Sequence, residues 1–214
     1  MALTLEDIIA HAKTYFAAAR GSHAWDHTER VYGLCMHIGR VEEADLEVLA
    51  IAAYLHDVGR PLEDESKGTI CHAEKGAEIA ETLLVNYPLL SIEKKRNIVH
   101  CIGSHRFRGN NPPETLEART LFDADKLDSI GAIGIGRAFL FAGEVGAKLY
   151  NPEADLHNTR PYTEEDTGYR EFKLKLSKIK DRMLTAEGKR LARERHAFME
   201  EFFERLQQEW EGKK

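Results

Sequence analysis

Histidines and carboxylates that fall on otherwise apolar helix faces are the residues of this sequence best suited to chemistry. A buried polar group costs free energy unless it is hydrogen-bonded or bound to a metal, so such positions are candidates for a site. His27 lies four residues before Val31 on the apolar stripe of a predicted helix. His56 and Asp57 end the apolar run 49–55, where a helix end can present adjacent side chains to one point. We therefore expect His27, His56 and Asp57 to converge.

A further carboxylate candidate lies in the segment 121–128, which reads LFDADKLD. With about 100° of rotation per residue, a helix places Asp125 on the same stripe as Leu121 and Phe122. Asp123 then points roughly the other way. Asp125 is therefore the better ligand candidate of the two.

Four further histidines can be sorted by whether they lie on the apolar stripe of their predicted helix. His72 shares a stripe with Gly76, Ile79 and Leu83, and His105 shares one with Ile98, Cys101 and Ile102. His37 and His100 fall off the apolar stripes of their helices. We interpret His37 and His100 as surface or structural residues and keep His72 and His105 as site candidates.

Length and composition favour one soluble domain. A chain of 214 residues suits a single hydrophobic core, and 43% hydrophobic with 31% charged residues is a globular balance. No apolar run approaches the roughly 20 residues that a membrane span needs, and the first seven residues lack the basic start of a secretion signal. We expect a cytoplasmic protein without a membrane partner.

Net charge and cysteine usage restrict the partners and the kind of metal site. The net charge of -6 gives no overall attraction to a nucleic acid polymer, so we expect none as a partner. A small anionic substrate needs only a local basic pocket. Three cysteines, Cys35, Cys71 and Cys101, are an odd number without CxxC spacing, which argues against a disulfide framework and a thiolate zinc site.

Helix start signals and apolar spacing predict an all-α bundle, with no convincing strand-like alternation. The first helix begins after a capping arrangement at Thr4 and is ended by Gly21. A charged loop is predicted at 59–68, and 151–168 is predicted to be an irregular flap or surface connection. A helix capped by Ser91 is predicted to continue until the segment 109–113 breaks it. The other predicted helices cover about 26–40, 44–58, 71–87, 115–130, 132–149, 169–184 and 186–210.

Four of the candidate site residues match the motif of a known protein family in their order. His27, then His56 with Asp57, then Asp125 resemble in order and context the H…HD…D signature of the HD-domain phosphohydrolase superfamily. The segments WDHTERV at 25–31 and LHDVG at 55–59 resemble its first and second motifs, and 123–131 resembles its last. The resemblance covers about 20–140 and implies a single HD-type domain over the whole chain, with the helices of about 169–210 packed on the metal-binding core.

The resemblance implies a divalent metal held by His27, His56, Asp57 and Asp125. Mixed imidazole and carboxylate ligands suit Mn, Fe, Ni, Co or Mg better than ions that prefer thiolates. Four protein ligands leave positions for a phosphoryl oxygen and for a water whose pKa a metal lowers from 15.7 towards about 7. Asp57 is expected to bind the metal and also to orient the nucleophile or accept its proton.

His72 and His105 resemble the additional histidines of the bimetallic branch of the same superfamily, here 33 residues apart. Three roles stay open for them: ligands of a second metal, a phosphate contact or proton donor to the leaving group, or inert histidines at the edge of the core.

Phosphate substrates also need cations near the metal. Arg30 lies three residues from His27 on one helix face, and Lys126 adjoins Asp125. Arg106 leads into a Gly/Asn/Pro turn. The predicted substrate-binding residues are Arg30, Lys67, Arg106 and Lys126. A solvated surface position is favoured for Arg60, Arg108 and Arg137.

The function implied is metal-dependent hydrolysis of a phosphoester or phosphoanhydride in a small molecule, plausibly a nucleotide, such as a nucleoside triphosphate split to monophosphate and pyrophosphate. Two alternatives stay open. The six residues together resemble the ligand set of a di-iron oxygenase of the inositol-oxygenase type, and the pocket could instead serve a noncatalytic nucleotide sensor. The apolar faces of the last two helices would serve either the core or a homodimer contact.

Overall fold

The computed structural model describes residues 4–16, 25–106 and 111–214, and within these ranges it contains helices and no strands. This confirms the all-α prediction. The predicted helix end at Gly21 and the cation Arg108 lie outside the described residues. The helices are α1 Leu5–Tyr15, α2 Trp25–Glu42, α3 Leu46–Leu55, α4 Arg60–Glu65, α5 His72–Leu84, α6 Ile92–Ser104, α7 Leu116–Leu127, α8 Gly131–Glu144, α9 Gly168–Leu174 and α10 Ala186–Trp210.

The chain forms two compact units. The first contains Met1–Asp125 and Leu184–Glu187, and the second contains Lys126–Met183 and Gly188–Lys214. Helix α7 therefore ends in the second unit, and α10 begins in the first. The assignment of the whole chain to a single domain stays a prediction.

Helix α3 is the centre of the first unit. Seven of its ten residues are buried, and it packs on α1, α2 and α6. Its sequence is almost wholly apolar, as expected of a helix enclosed on most sides rather than on one stripe. The Asp45 side chain starts it by accepting hydrogen bonds from the backbone N–H groups of Glu47 and Val48. The helix ends at Leu55, so the buried His56 and Asp57 follow directly in the turn after α3.

Helices α5 and α6 form the neighbouring antiparallel pair of the first unit. Ser91 caps α6, as predicted, through a hydrogen bond from the Lys94 N–H, and α6 ends with His105 as its C-cap. Helix α5 begins directly with His72. A Cβ added to Gly59 would lie 2.2 Å from the carbonyl oxygen of His72. Glycine at this position therefore lets the turn after α3 lie against the first residues of α5.

Several predicted boundaries are wrong. The helices predicted at 71–87, 115–130 and 132–149 end early, at Leu84, Leu127 and Glu144. The charged segment 59–68 contains the short helix α4, with Pro61 in its first turn, where its missing N–H costs no hydrogen bond. The predicted helix 44–58 ends early, at Leu55. The predicted helix 169–184 breaks at Lys175 into α9 and a 3-10 helix, Leu176–Arg182. A 3-10 helix places Leu176 and Ile179, both buried, on one side because they are three residues apart.

The second unit contains α8, α9 and most of α10. Phe172 of α9 stacks on Phe203 of α10 with ring centroids 4.6 Å apart. The irregular segment before α9 is anchored by the buried Arg170, which donates to Asp166 at 2.7 Å and to the Thr159 carbonyl at 3.0 Å. Among the helices in the described ranges, none has the length and apolar content required to cross a membrane.

Candidate metal centre

Six polar side chains converge in the first unit, where apolar helices otherwise pack. They come from α2, the turn after α3, the start of α5, the end of α6 and the last turns of α7. They are His27, His56, Asp57, His72, His105 and Asp125. Asp125 has 20% of its side chain exposed, whereas the other five are almost completely buried. The six residues are those that the helix-face argument selected from the sequence.

One side of the site faces Oδ2 of Asp57, and we call it the Oδ2 cluster: His27, His56, Asp125 and this oxygen. His27 Nε2 lies 3.3 Å from His56 Nε2 and 3.4 Å from Asp125 Oδ1. Asp57 Oδ2 lies 3.8 Å from His27 Nε2 and 3.7 Å from His56 Nε2. Two carboxylates and two imidazoles thus surround one small volume.

The other side faces Oδ1 of Asp57, and we call it the Oδ1 cluster: His72, His105 and this oxygen. Asp57 Oδ1 lies 3.2 Å from His72 Nε2 and 3.7 Å from His105 Nε2. The two Nε2 atoms are 3.1 Å apart. Asp57 is therefore shared by both clusters, one carboxylate oxygen to each.

The hydrogen bonds of the Nδ1 atoms fix which nitrogen of each ring is bare. His56 Nδ1 donates to the carbonyl of Ala53 at 2.7 Å, and His105 Nδ1 donates to the carbonyl of Ile102 at 2.6 Å. A carbonyl oxygen only accepts, so both Nδ1 atoms carry hydrogen. Burial lowers the pKa of His56 to about 4, so its ring is neutral near pH 7 and its Nε2 presents a lone pair to the site.

The hydrogen-bond partner of the Nδ1 atom of His72 is a side chain and not a backbone carbonyl. Its Nδ1 donates to a carboxylate oxygen of Glu63. Burial lowers the pKa of His72 to about 3, so this ring is also neutral near pH 7. Its Nε2 lone pair then faces the Oδ1 atom of Asp57.

Asp57 is held as a carboxylate. Burial alone would raise its pKa, but His56, which is protonated only in acid, and the guanidinium of Arg60 outweigh burial and hold the pKa of Asp57 well below its usual value. One guanidinium nitrogen of Arg60 lies 3.1 Å from Oδ1 and 3.2 Å from Oδ2. The prediction that Arg60 occupies a solvated surface is therefore wrong, because the turn after α3 directs it onto Asp57.

The donor set fits a divalent cation. The Nε2 atoms of His72 and His105 face each other at 3.1 Å, and one cation could bind both nitrogens. Two nitrogen ligands about 2.1 Å from one ion and at right angles lie about 3 Å apart, close to the separations found within each histidine pair. Imidazole with carboxylate oxygen suits Mn, Fe, Co, Ni or Mg. The groups His27, His56, Asp57 and Asp57, His72, His105 could each hold an ion.

One carboxylate and two histidines that were predicted to lie off the site have structural partners. Asp123 is buried and accepts hydrogen bonds from the backbone of Leu184 and Thr185, which fixes the residues before α10. His37 lies 2.7 Å from Glu187, and His100 accepts from the Glu114 N–H at 3.0 Å. Asp123 therefore contacts the residues before α10 and lies off the site, as its helix face predicted.

The four predicted substrate-binding cations differ in their partners and in their exposure to solvent. Arg30 pairs with Asp26 at 2.6 Å on α2, and Arg106 pairs with Glu63 at 2.6 Å. Lys67 is exposed in the turn after α4. Lys126 is half-buried and belongs to the second unit. Their contacts with substrate stay predictions.

The sequence pattern predicted neither the contact of Glu63 with His72 nor the contact of Arg60 with Asp57. Both lie in the charged segment that the sequence suggested was a loop. The only available signal was their spacing of three residues, which places them on one face once α4 forms. Arg137 was also expected to be solvated, but it donates to Asp128 at 2.6 Å in the second unit.

The chain is similar to a known domain family and to a curated relative. The model of the HD domain family matches residues 24–130. The uncharacterized protein YpgQ of Bacillus subtilis (strain 168) is 32% identical over 212 residues, which cover 97% of this chain and 94% of YpgQ.

Solved structures agree over nearly the whole length. The crystal structure of Bacillus subtilis YpgQ in complex with ADP has a TM-score of 0.72 at 28% identity and covers 96% of this chain and 94% of that one. A predicted HD superfamily hydrolase from an uncultured Thermotogales bacterium has a TM-score of 0.70 at 28% identity, covering 96% and 92%. The fold is thus that of HD-superfamily hydrolases, and the chain belongs to the HD-domain family.

Proposed function

We propose that this protein is a divalent-metal-dependent hydrolase that cleaves a phosphoester or phosphoanhydride bond in a small nucleotide. One observation carries the proposal: a buried, ionised Asp57 is shared by two groups of histidines whose Nε2 atoms face it. A family whose structures are described as hydrolases makes hydrolysis the reaction class that suits this arrangement.

In this proposal His27, His56, Asp57 and Asp125 hold the metal. A divalent ion bound there would supply a water of lowered pKa and polarise a phosphoryl oxygen. Because Arg60 and the histidines lower the pKa of Asp57, its carboxylate is a weak base at neutral pH and serves mainly to accept a hydrogen bond and orient the nucleophile. His72 and His105 are adjacent, so they are the proposed proton acceptors or donors of the reaction where they do not bind a second ion.

The proposed substrate is a nucleotide. Support comes from the similarity to YpgQ, a structure of which is in complex with ADP. Arg30, Lys67, Arg106 and Lys126 are the proposed phosphate contacts. Nη1 of Arg106 donates to Glu63, so a phosphate would contact Arg106 through another guanidinium nitrogen. A homodimer and the absence of a nucleic acid partner stay predictions.

The test is metal analysis of the purified protein, followed by a screen of nucleotides and phosphoesters with Mn, Mg, Co and Ni. His56→Ala and Asp125→Ala should lose metal-stimulated turnover. His11→Ala, at an exposed position of α1, is the matched control and should keep it. Turnover that survives in His56→Ala and Asp125→Ala would contradict the proposal.

A di-iron oxygenase is the second candidate, because all six residues of such a ligand set converge. Oxygen consumption by an iron-loaded sample separates the two candidates, since hydrolysis needs no oxygen. Tight nucleotide binding without any metal-stimulated product would instead favour a noncatalytic sensor.

A further inference from the structure

Three histidines of the site present Nε2 to Asp57, but they are held there in two different ways. His56 and His105 are each the C-cap of a helix, and each donates from Nδ1 to the carbonyl three residues earlier in its own helix. Local backbone geometry therefore fixes both rings without help from another element.

His72 lacks such a carbonyl. It is the first residue of α5, so the residue three positions earlier, Thr69, lies in a bend and not in a preceding helical turn. The partner of its Nδ1 is the Glu63 carboxylate on α4, nine residues earlier. A side chain thus does for His72 what the backbone does for the other two rings.

Glu63 is itself held in place from two directions. Its Oε1 accepts from Arg106 at 2.6 Å, just beyond the end of α6, and its Oε2 also lies 3.3 Å from Arg60 on α4. Arg60 in turn contacts both oxygens of Asp57. The carboxylate is largely buried, with 13% of the side chain exposed. Both of its oxygens are therefore committed, and its position is fixed relative to Asp57 and His72.

We infer that Glu63 is a positioning residue that fixes His72 with hydrogen on Nδ1 and a bare Nε2 directed at Asp57. Arg106 and Arg60 hold Glu63 so that it can do this. A carboxylate that accepts from the far nitrogen of a site imidazole sets both the tautomer and the orientation of the ring. The expected effect of Glu63 on turnover rests on the proposed function. The tautomer of His72 can be measured whether or not that function is correct.

The direct test is the nitrogen-15 spectrum of the imidazoles in metal-free, full-length protein at neutral pH, with a His72→Asn sample to assign the His72 signals. Wild type should show hydrogen on Nδ1 of His72. Glu63→Gln should keep it, because an amide oxygen still accepts. Glu63→Ala should give a mixture of tautomers. Glu65→Gln, an exposed carboxylate at the end of α4, is the matched control and should match wild type. An unchanged His72 signal in Glu63→Ala would overturn the inference.

Steady-state kinetics give the second readout. Loss of such a partner typically reduces metal affinity or activity about 10–100-fold. We expect kcat to fall by this factor in Glu63→Ala with KM changed much less, and Glu63→Gln to recover most of the loss. Wild-type kcat in a folded Glu63→Ala protein would overturn the inference. If wild type itself turned over no phosphorylated compound, the proposed function would fail, whereas the tautomer result would still decide the role of Glu63.

Discussion

The two clusters that share Asp57 differ in charge and in how their residues are held. The Oδ2 cluster has two carboxylates, Asp57 and Asp125, with two imidazoles. The Oδ1 cluster has two imidazoles and a single carboxylate, Asp57, and one of its rings depends on Glu63. Attraction for a divalent cation increases with the negative charge of the ligands. We therefore expect the Oδ2 cluster to bind a first ion, and the Oδ1 cluster to support its chemistry or to bind a second ion more weakly.

Removing the charge of Asp57 should have the largest effect because this residue belongs to both clusters. We expect Asp57→Asn to reduce turnover on the order of 10³-fold, through loss of both metal binding and nucleophile orientation. Phosphate-release kinetics and metal analysis of the same sample would measure this. Retained turnover with metal still bound would remove the double role of Asp57.

Single histidine removals should separate the two clusters. We expect His56→Ala to lose the bound ion and nearly all turnover. His105→Ala should keep the ion of the Oδ2 cluster and lose about 10–100-fold in turnover, the range found when a supporting group is removed. Metal content per chain after dialysis gives the comparison. Equal metal loss in both variants would show that the clusters are not distinct.

Acid should destabilise the metal-free protein through one histidine from each cluster. The folded-state pKa values, about 4 for His56 and about 3 for His72, lie below the ordinary 6.5. Their contribution to stability is therefore complete above pH 6.5 and is lost as pH falls towards these folded values. Between pH 7 and pH 5 we expect a loss of roughly 2 kcal/mol per histidine. Urea unfolding at both pH values would measure it.

Substitution of His56 or His72 is the control for the loss of stability in acid. His56→Gln and His72→Gln should each reduce the difference in unfolding free energy between pH 7 and pH 5. Equal stability of the wild-type protein at the two pH values would contradict the neutral state assigned to both rings.

The glycine at the start of α4 should matter more for the Oδ1 cluster than for the Oδ2 cluster. In Gly59→Ala the new Cβ would meet the His72 carbonyl oxygen and the Gly76 N–H, at 2.2 and 2.7 Å. We expect a loss of about 1–3 kcal/mol, as for other overpacked positions, and a disturbed His72 ring. Gly33→Ala on α2 is the control, because its Cβ would meet nothing within 4 Å. Thermal unfolding of both variants measures the effect, and equal stability would contradict it.

The sequence was sufficient to predict the helical fold and the six converging residues. His27, His72, His105 and Asp125 interrupt apolar helix stripes, and the periodicity of a helix makes such interruptions visible. The cap residues Thr4 and Ser91 were predicted for a similar reason, since a side-chain cap depends only on neighbouring backbone.

The supporting residues could not be predicted because their roles depend on tertiary contacts. Helix α4 has six residues and no buried stripe, so its sequence resembled a charged loop and concealed Arg60 and Glu63. Arg106 contacts Glu63 across 43 residues of chain, which no local pattern encodes. The break at Lys175 likewise follows from burial of Leu176 and Ile179, which an amphipathic α-helix pattern also fits.

A titration of Mn²⁺ into metal-free protein with a nucleoside triphosphate present would show whether hydrolysis requires an ion in the Oδ2 cluster. We expect no phosphate or pyrophosphate release in EDTA, release that rises and saturates as the ion fills the Oδ2 cluster, and no release from Asp125→Ala at any Mn²⁺ concentration. Equal release with and without Mn²⁺, or full release from folded Asp125→Ala, would show that the Oδ2 cluster is not the catalytic metal site.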